Sequence, residues 1–138
     1  MQGYFKSVNP EEFQYILQKC SLRFTDSPVL FTTGMGDLVI WADGYVRLLN
    51  FRDGVLKTVM PNFLYFFKSL DSYRFRDEYL KWQPYPEAIN KYNELDYDEC
   101  FGYTPLLGSG GPGKVENLKK VKIKEHILLI TQLMGPIQ

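Results

Sequence analysis

The apolar positions of this chain change their period several times, and each change marks an element. Phe13, Ile16, Leu17 and Cys20 recur three and four residues apart, which is the spacing of one helix face. Asn9-Pro10-Glu11-Glu12 stands before them as a helix start. Asn9 can accept from free backbone N–H groups, Pro10 suits the first helical position, and Glu12 can reach back as a capping-box acid. From Val29 the texture becomes β-branched and aromatic. Val29–Thr33, Leu38–Trp41, Tyr45–Leu49 and Val55–Val59 are short apolar runs punctuated by Gly34-Met35-Gly36-Asp37, Asp43-Gly44 and Asp53-Gly54. Asp-Gly between two such runs is a hairpin signal, so residues 29–60 read as an antiparallel meander of about four strands.

Helical spacing returns after Pro61. Phe63, Phe66, Phe67 and Leu70 predict one helix, and Phe75, Tyr79 and Trp82 predict a second over 71–82. Pro84 and Pro86 interrupt it, and a shorter helix from Pro86 to about Asn93 presents Ile89 and Tyr92. Cys100–Thr104 reads as a short strand, and Gly108–Gly113 as a loop. Leu118–Ile123 alternates like a strand. A last helix over 124–134 carries Ile127, Ile130 and Met134 in its stripe and stops at Gly135-Pro136. The pattern is that of one α+β domain spanning 1–138: an antiparallel sheet built from the meander plus later short strands, packed with N-terminal, central and C-terminal helices.

Composition narrows the function classes. The chain has 138 residues, 16 basic and 16 acidic, so it lacks the broad positive field that holds a phosphate backbone. No nucleic-acid ligand is expected, and no apolar run approaches the roughly 20 residues of a membrane span. The segment Met1–Lys6 does not read as a secretory signal. Cys20 and Cys100 form no CxxC motif and read as free thiols of a reducing cytosol, so a cytoplasmic protein is expected.

Each candidate for chemistry lacks a part. Gly108-x-x-x-x-Gly113-Lys114 has the front of a phosphate-binding loop, but Val115 stands where a magnesium-holding Ser or Thr is needed. That loop is the basis of an alternative reading as a nucleotide- or phosphate-handling enzyme. His126, the only histidine, has no second histidine for a metal and no nucleophile motif, and reads as a structural residue hydrogen-bonded to a neighbour. Glu94, Asp96, Asp98 and Glu99 lack the glycine and spacing of a calcium loop. No catalytic residue, metal site or cofactor is expected. Lys119, Lys120, Lys122 and Lys124 form the basic cluster, three of them on one strand face.

The surface that remains is one for binding another protein. Trp82-Gln83-Pro84-Tyr85-Pro86 reads first as a helix-to-helix corner packed on the core, but its aromatic content also suits an exposed recognition loop. Acidic loop residues can steer a basic partner. Trp82, Tyr85, Asp96, Asp98 and Glu99 are therefore the candidate partner-binding residues.

The run Asp98–Leu107, then Gly110-Gly111, Val115–Leu118, Val121–His126 and Gln132-Leu133, resembles the C-terminal domain of type VI secretion DNase immunity proteins of the Tdi type. Gly36–Trp41 and Tyr45–Leu49 also suit that family, so the resemblance extends over about 30–137 and is sharpest over about 98–133. In that family the domain often follows a GAD-like domain, whereas only about 30 residues precede the resemblance in this chain. The resemblance implies a cytosolic bacterial protein, without cofactor, whose partner is a cognate effector toxin. A general protein-interaction module would differ from this only in its partner.

Overall fold

The computed structural model describes residues 3–138; Met1 and Gln2, the start of the segment read for a secretory signal, lie outside them. The first helix, α1 (Pro10–Cys20), begins where the sequence predicts. The Asn9 side chain accepts from the Glu11 N–H at 3.0 Å. The expected capping-box role of Glu12 is not what forms: its carboxylate instead pairs with Lys124 at 2.7 Å, because the last helix lies alongside.

The meander is β2 (Val29–Thr33), β3 (Leu38–Ala42), β4 (Tyr45–Asn50) and β5 (Val55–Met60). A short strand that the pattern did not reveal, β1 (Phe5–Ser7), pairs with β2, giving an antiparallel sheet in the order β1-β2-β3-β4-β5. Asp43 and Gly44 both take positive φ, 52° and 81°, and close β3 on β4 as a two-residue turn. The expected second turn of this kind differs. Asn50 caps a wider Phe51–Gly54 loop by accepting from the Asp53 N–H at 3.1 Å.

β3 is apolar without alternation because both faces of the sheet are covered. Leu38, Ile40 and Ala42 join the core under α1 and the last helix, α5 (Ile123–Met134), while Val39 and Trp41 face Phe63, Phe66 and Phe75. Those aromatics come from α2 (Phe63–Ser69) and α3 (Tyr73–Glu78). Of the predicted α2 stripe, Phe66 is fully buried but Phe67 is only partly covered. The stretch 71–82 is helical only as far as Glu78; Lys81 then takes a φ of 48° and Trp82 turns inward.

α4 (Tyr85–Tyr92) packs on a second, two-stranded antiparallel sheet, β6 (Glu99–Tyr103) with β7 (Leu118–Lys122). These later strands pair with each other rather than extending the meander. Phe101 N–H donates to the Gly34 carbonyl at 2.7 Å and joins the two sheets at the β2–β3 turn. The class is α+β, as expected. In α5, Ile123, His126, Ile127 and Ile130 are the buried positions, and Met134, expected in the stripe, is half exposed. Lys120 and Lys122 lie on one side of β7; Lys124 is already in α5, so only two of the four lysines share that strand face.

Candidate functional site

The chain leaves α4 at Asn93, whose φ of 69° turns it into the segment 94–98 that leads to β6. This segment is a ridge held by lysines from two elements. Lys6 of β1 donates to the carbonyls of Asp96 and of Glu99, the latter at 2.8 Å. Lys120 donates to the Glu94 carbonyl at 2.8 Å, and Lys122 pairs with Asp98 at 3.0 Å. The Asp96 N–H donates to Glu99 Oε1 at 2.8 Å. Burial pushes the Lys6 ammonium below its usual range, while Cys100 and the carboxylates of Glu99, Asp98 and Asp96 work the other way. The hydrogen bond from Lys122 holds the Asp98 carboxyl below the usual carboxylate range.

The lysines thus spend much of their donor capacity on backbone carbonyls and leave carboxylates outward. Among the described residues, neither Glu94 nor Asp96 has an ion-pair partner. Tyr97 stands between Asp96 and Asp98 with 87% of its surface exposed, more than any other large apolar or aromatic side chain described. An open groove of about 430 Å³ lies on one flank, lined by Phe13, Tyr97, Asp98, Lys122 and Lys124. A second, about 610 Å³, lies on the other, lined by Lys6, Trp82, Tyr85, Ile89, Glu94 and Leu95.

The structure therefore brings the five candidate residues around one ridge, but not on equal terms. Asp96, Asp98 and Glu99 belong to it. Trp82 and Tyr85 only floor the second groove; they are 7% and 6% exposed. Their rings pack edge-on against Tyr4, with centroids 6.0 and 4.8 Å away, and Trp82 Nε1–H donates to Asp77 at 2.8 Å. Of the two readings of 82–86, the corner packed on the core is the one that forms, not the exposed recognition loop. Tyr97 was missed, although an aromatic inside an acidic run is the signal that would have found it.

The remaining candidates are tied into the fold. The glycine segment lies between β6 and β7 and is followed by a single 3₁₀ turn, Val115–Asn117, in place of the α-helix a phosphate loop requires, and Lys114 is exposed. Gly111 serves close approach: a Cβ there would stand 2.2 Å from the Pro105 carbonyl oxygen. His126 is buried, yet among the described residues it makes none of the expected hydrogen bonds; its ring lies over Gly102, where a Cβ would come within 2.5 Å. Burial pushes its pKa down. Cys20 and Cys100 are free and buried, and burial pushes each thiol up to about 12, away from reactive thiolate. Among the described residues no group of three or more His, Cys, Asp or Glu side chains is placed to hold a metal, and no helix is long and apolar enough to cross a membrane.

Comparison with known proteins gives a fold relative and a family. The chain is similar to the crystal structure of Atu4351 from Agrobacterium tumefaciens, with a TM-score of 0.74 over 95% of this chain and 67% of that one. At 16% identity this is a likeness of fold. No curated protein sequence gives a significant match. Residues 61–134 match the model of the family described as T6SS immunity protein Tdi1, C-terminal. The match contains the segment of sharpest resemblance but starts after the meander, leaving Gly36–Trp41 and Tyr45–Leu49 outside it. Covering more than half of the sequence, it establishes that the chain belongs to the T6SS immunity protein Tdi1 C-terminal family.

Proposed function

We propose that this protein binds a cognate type VI secretion toxin in the bacterial cytoplasm and neutralises it by covering its active face, with no chemistry of its own. Membership of the immunity family supports the role. The observation that carries the choice of surface is Tyr97, 87% exposed among carboxylates on a ridge clamped by Lys6. A rigid aromatic at the centre of a patch is the usual form of an energetic anchor. The acids around it suit a partner with a basic face, and a nuclease must have one to hold phosphates. A DNase is the toxin class this favours.

Co-expression with the toxin encoded beside this gene tests the proposal. The expected result is restored growth, intact plasmid DNA and a co-purifying complex. No protection together with no complex would overturn it.

A further inference from the structure

A cavity of about 180 Å³ lies away from the ridge, between the C-terminal half of α5, the β4–β5 loop and the start of the glycine segment. It shares no lining residue with either groove. We infer that this cavity is a second docking point for the toxin and receives a phenolic side chain, that of a tyrosine. The inference rests on the immunity reading for the source of the ring, not for its chemistry.

Size comes first. An apolar cavity of about 150 Å³ accommodates benzene, so this one holds a six-membered ring with one substituent and excludes a nucleotide. Phe51, Leu107, Ile130 and Met134 supply apolar walls. Met134 packs on Gly108 and is half exposed, so an adaptable thioether stands at the mouth, a favourable neighbour for an aromatic ring.

The polar lining selects the substituent. Arg52, Tyr103 and His126 all line the cavity, and each is about nine-tenths buried. Among the described residues, neither the Tyr103 hydroxyl nor the His126 ring makes a hydrogen bond, while Arg52 is held by Asp37 and by the Lys81 and Gln83 carbonyls and keeps only a sealed Nε without a partner. The Tyr103 hydroxyl and the His126 nitrogens are not sealed from solvent, so the cavity presents two unpartnered polar groups to whatever enters it. The occupant is not an anion. Asp37 already balances Arg52 at 3.3 Å, and Asp53, which also lines the cavity and would repel a carboxylate, is paired with Lys81 at 3.1 Å. A neutral hydroxyl fits, because one oxygen can accept from the Tyr103 hydroxyl and donate to an imidazole nitrogen. Burial keeps His126 in the neutral form that has such a nitrogen. Phenylalanine lacks the oxygen, and serine leaves the ring volume empty.

p-Cresol, the tyrosine side-chain analogue, is the probe. Titrated into the full chain and followed by methyl NMR, it is expected to give saturable shifts at Leu107, Ile130 and Met134, with toluene roughly fivefold weaker for want of the hydrogen bond. Leu107→Trp fills the mouth and should remove binding; Met134→Trp, at a half-exposed position, repeats the test if the first variant misfolds. Either folded variant should also weaken toxin binding at least roughly tenfold with the ridge intact. No saturable p-cresol binding, or equal binding of toluene, overturns the chemistry. Unchanged toxin affinity in a folded, cresol-deficient variant overturns the docking assignment. A toxin that ignores the wild-type chain defeats the immunity reading instead, and leaves the cresol result to stand alone.

Discussion

Asp37–Arg52 and Asp98–Lys122 are the same chemistry in opposite surroundings. The first pair is separated by 3.3 Å with the arginine side chain 10% exposed and the aspartate fully buried; the second by 3.0 Å with 49% and 38% exposed. Asp37 accepts from the Thr33 hydroxyl at 2.9 Å, and Arg52 donates to the Lys81 carbonyl at 2.8 Å and the Gln83 carbonyl at 3.2 Å. One buried pair thus ties the β2–β3 turn, the β4–β5 loop and the corner before α4 together. Burial pushes the Asp37 carboxyl up against the opposing pull of Arg52 and Thr33. The exposed pair fixes only the base of the ridge and leaves its crest available. Position in the dielectric, rather than residue type, separates a pair that holds the fold from one that dresses the surface.

The sharpest way to break this comparison is to remove one acid from each pair. Asp37→Ala strands the Arg52 charge in the interior and should cost about 3–5 kcal/mol by urea unfolding. Asp98→Ala should leave the midpoint unchanged. A similar response from both would contradict the distinction. A smaller effect is expected at Gly102, where the His126 ring occupies the space of a Cβ at 2.5–3.0 Å. Gly102→Ala should lower stability by about 1–3 kcal/mol, read as a drop in Tm, while a silent substitution would show that the ring is not held.

The smallest effect is one of pH. The folded-state pKa of His126 lies below its ordinary 6.5, so the unfolded chain binds the proton more readily. The contribution of this group to stability is complete above 6.5, falls as the pH drops below it, and levels off below the folded value. Urea midpoints between about pH 7 and 5 should show the fall, and His126→Gln should flatten it. An unchanged slope in that variant would assign the effect to other groups.

The sequence was legible where a local rule acts alone. Asn9-Pro10 and Asp43-Gly44 do in the structure what their backbone chemistry demands, and the meander follows from the second of them. β1 escaped notice because three residues carry no period, and its pairing with β2 comes from tertiary contact. Asp37 and Arg52 are single charges 15 residues apart, and nothing local says they meet. Trp82 and Tyr85 illustrate a different limit. Aromatic rings serve cores and interfaces equally well, so composition alone does not separate an anchor from a packed corner. The acidic run is legible as a charged loop, but one tyrosine inside it carries no period that would mark it as exposed.

The ridge is the centre of this account, and the affinity of the cognate toxin for a Tyr97→Ala, Asp96→Asn double variant tests it most directly. Calorimetric titration is predicted to show binding weakened roughly thirtyfold or more at an unchanged Tm, as expected when an exposed anchor and an unpaired acid are removed together. Wild-type affinity in a fully folded variant would contradict it and move the toxin contact elsewhere on the molecule.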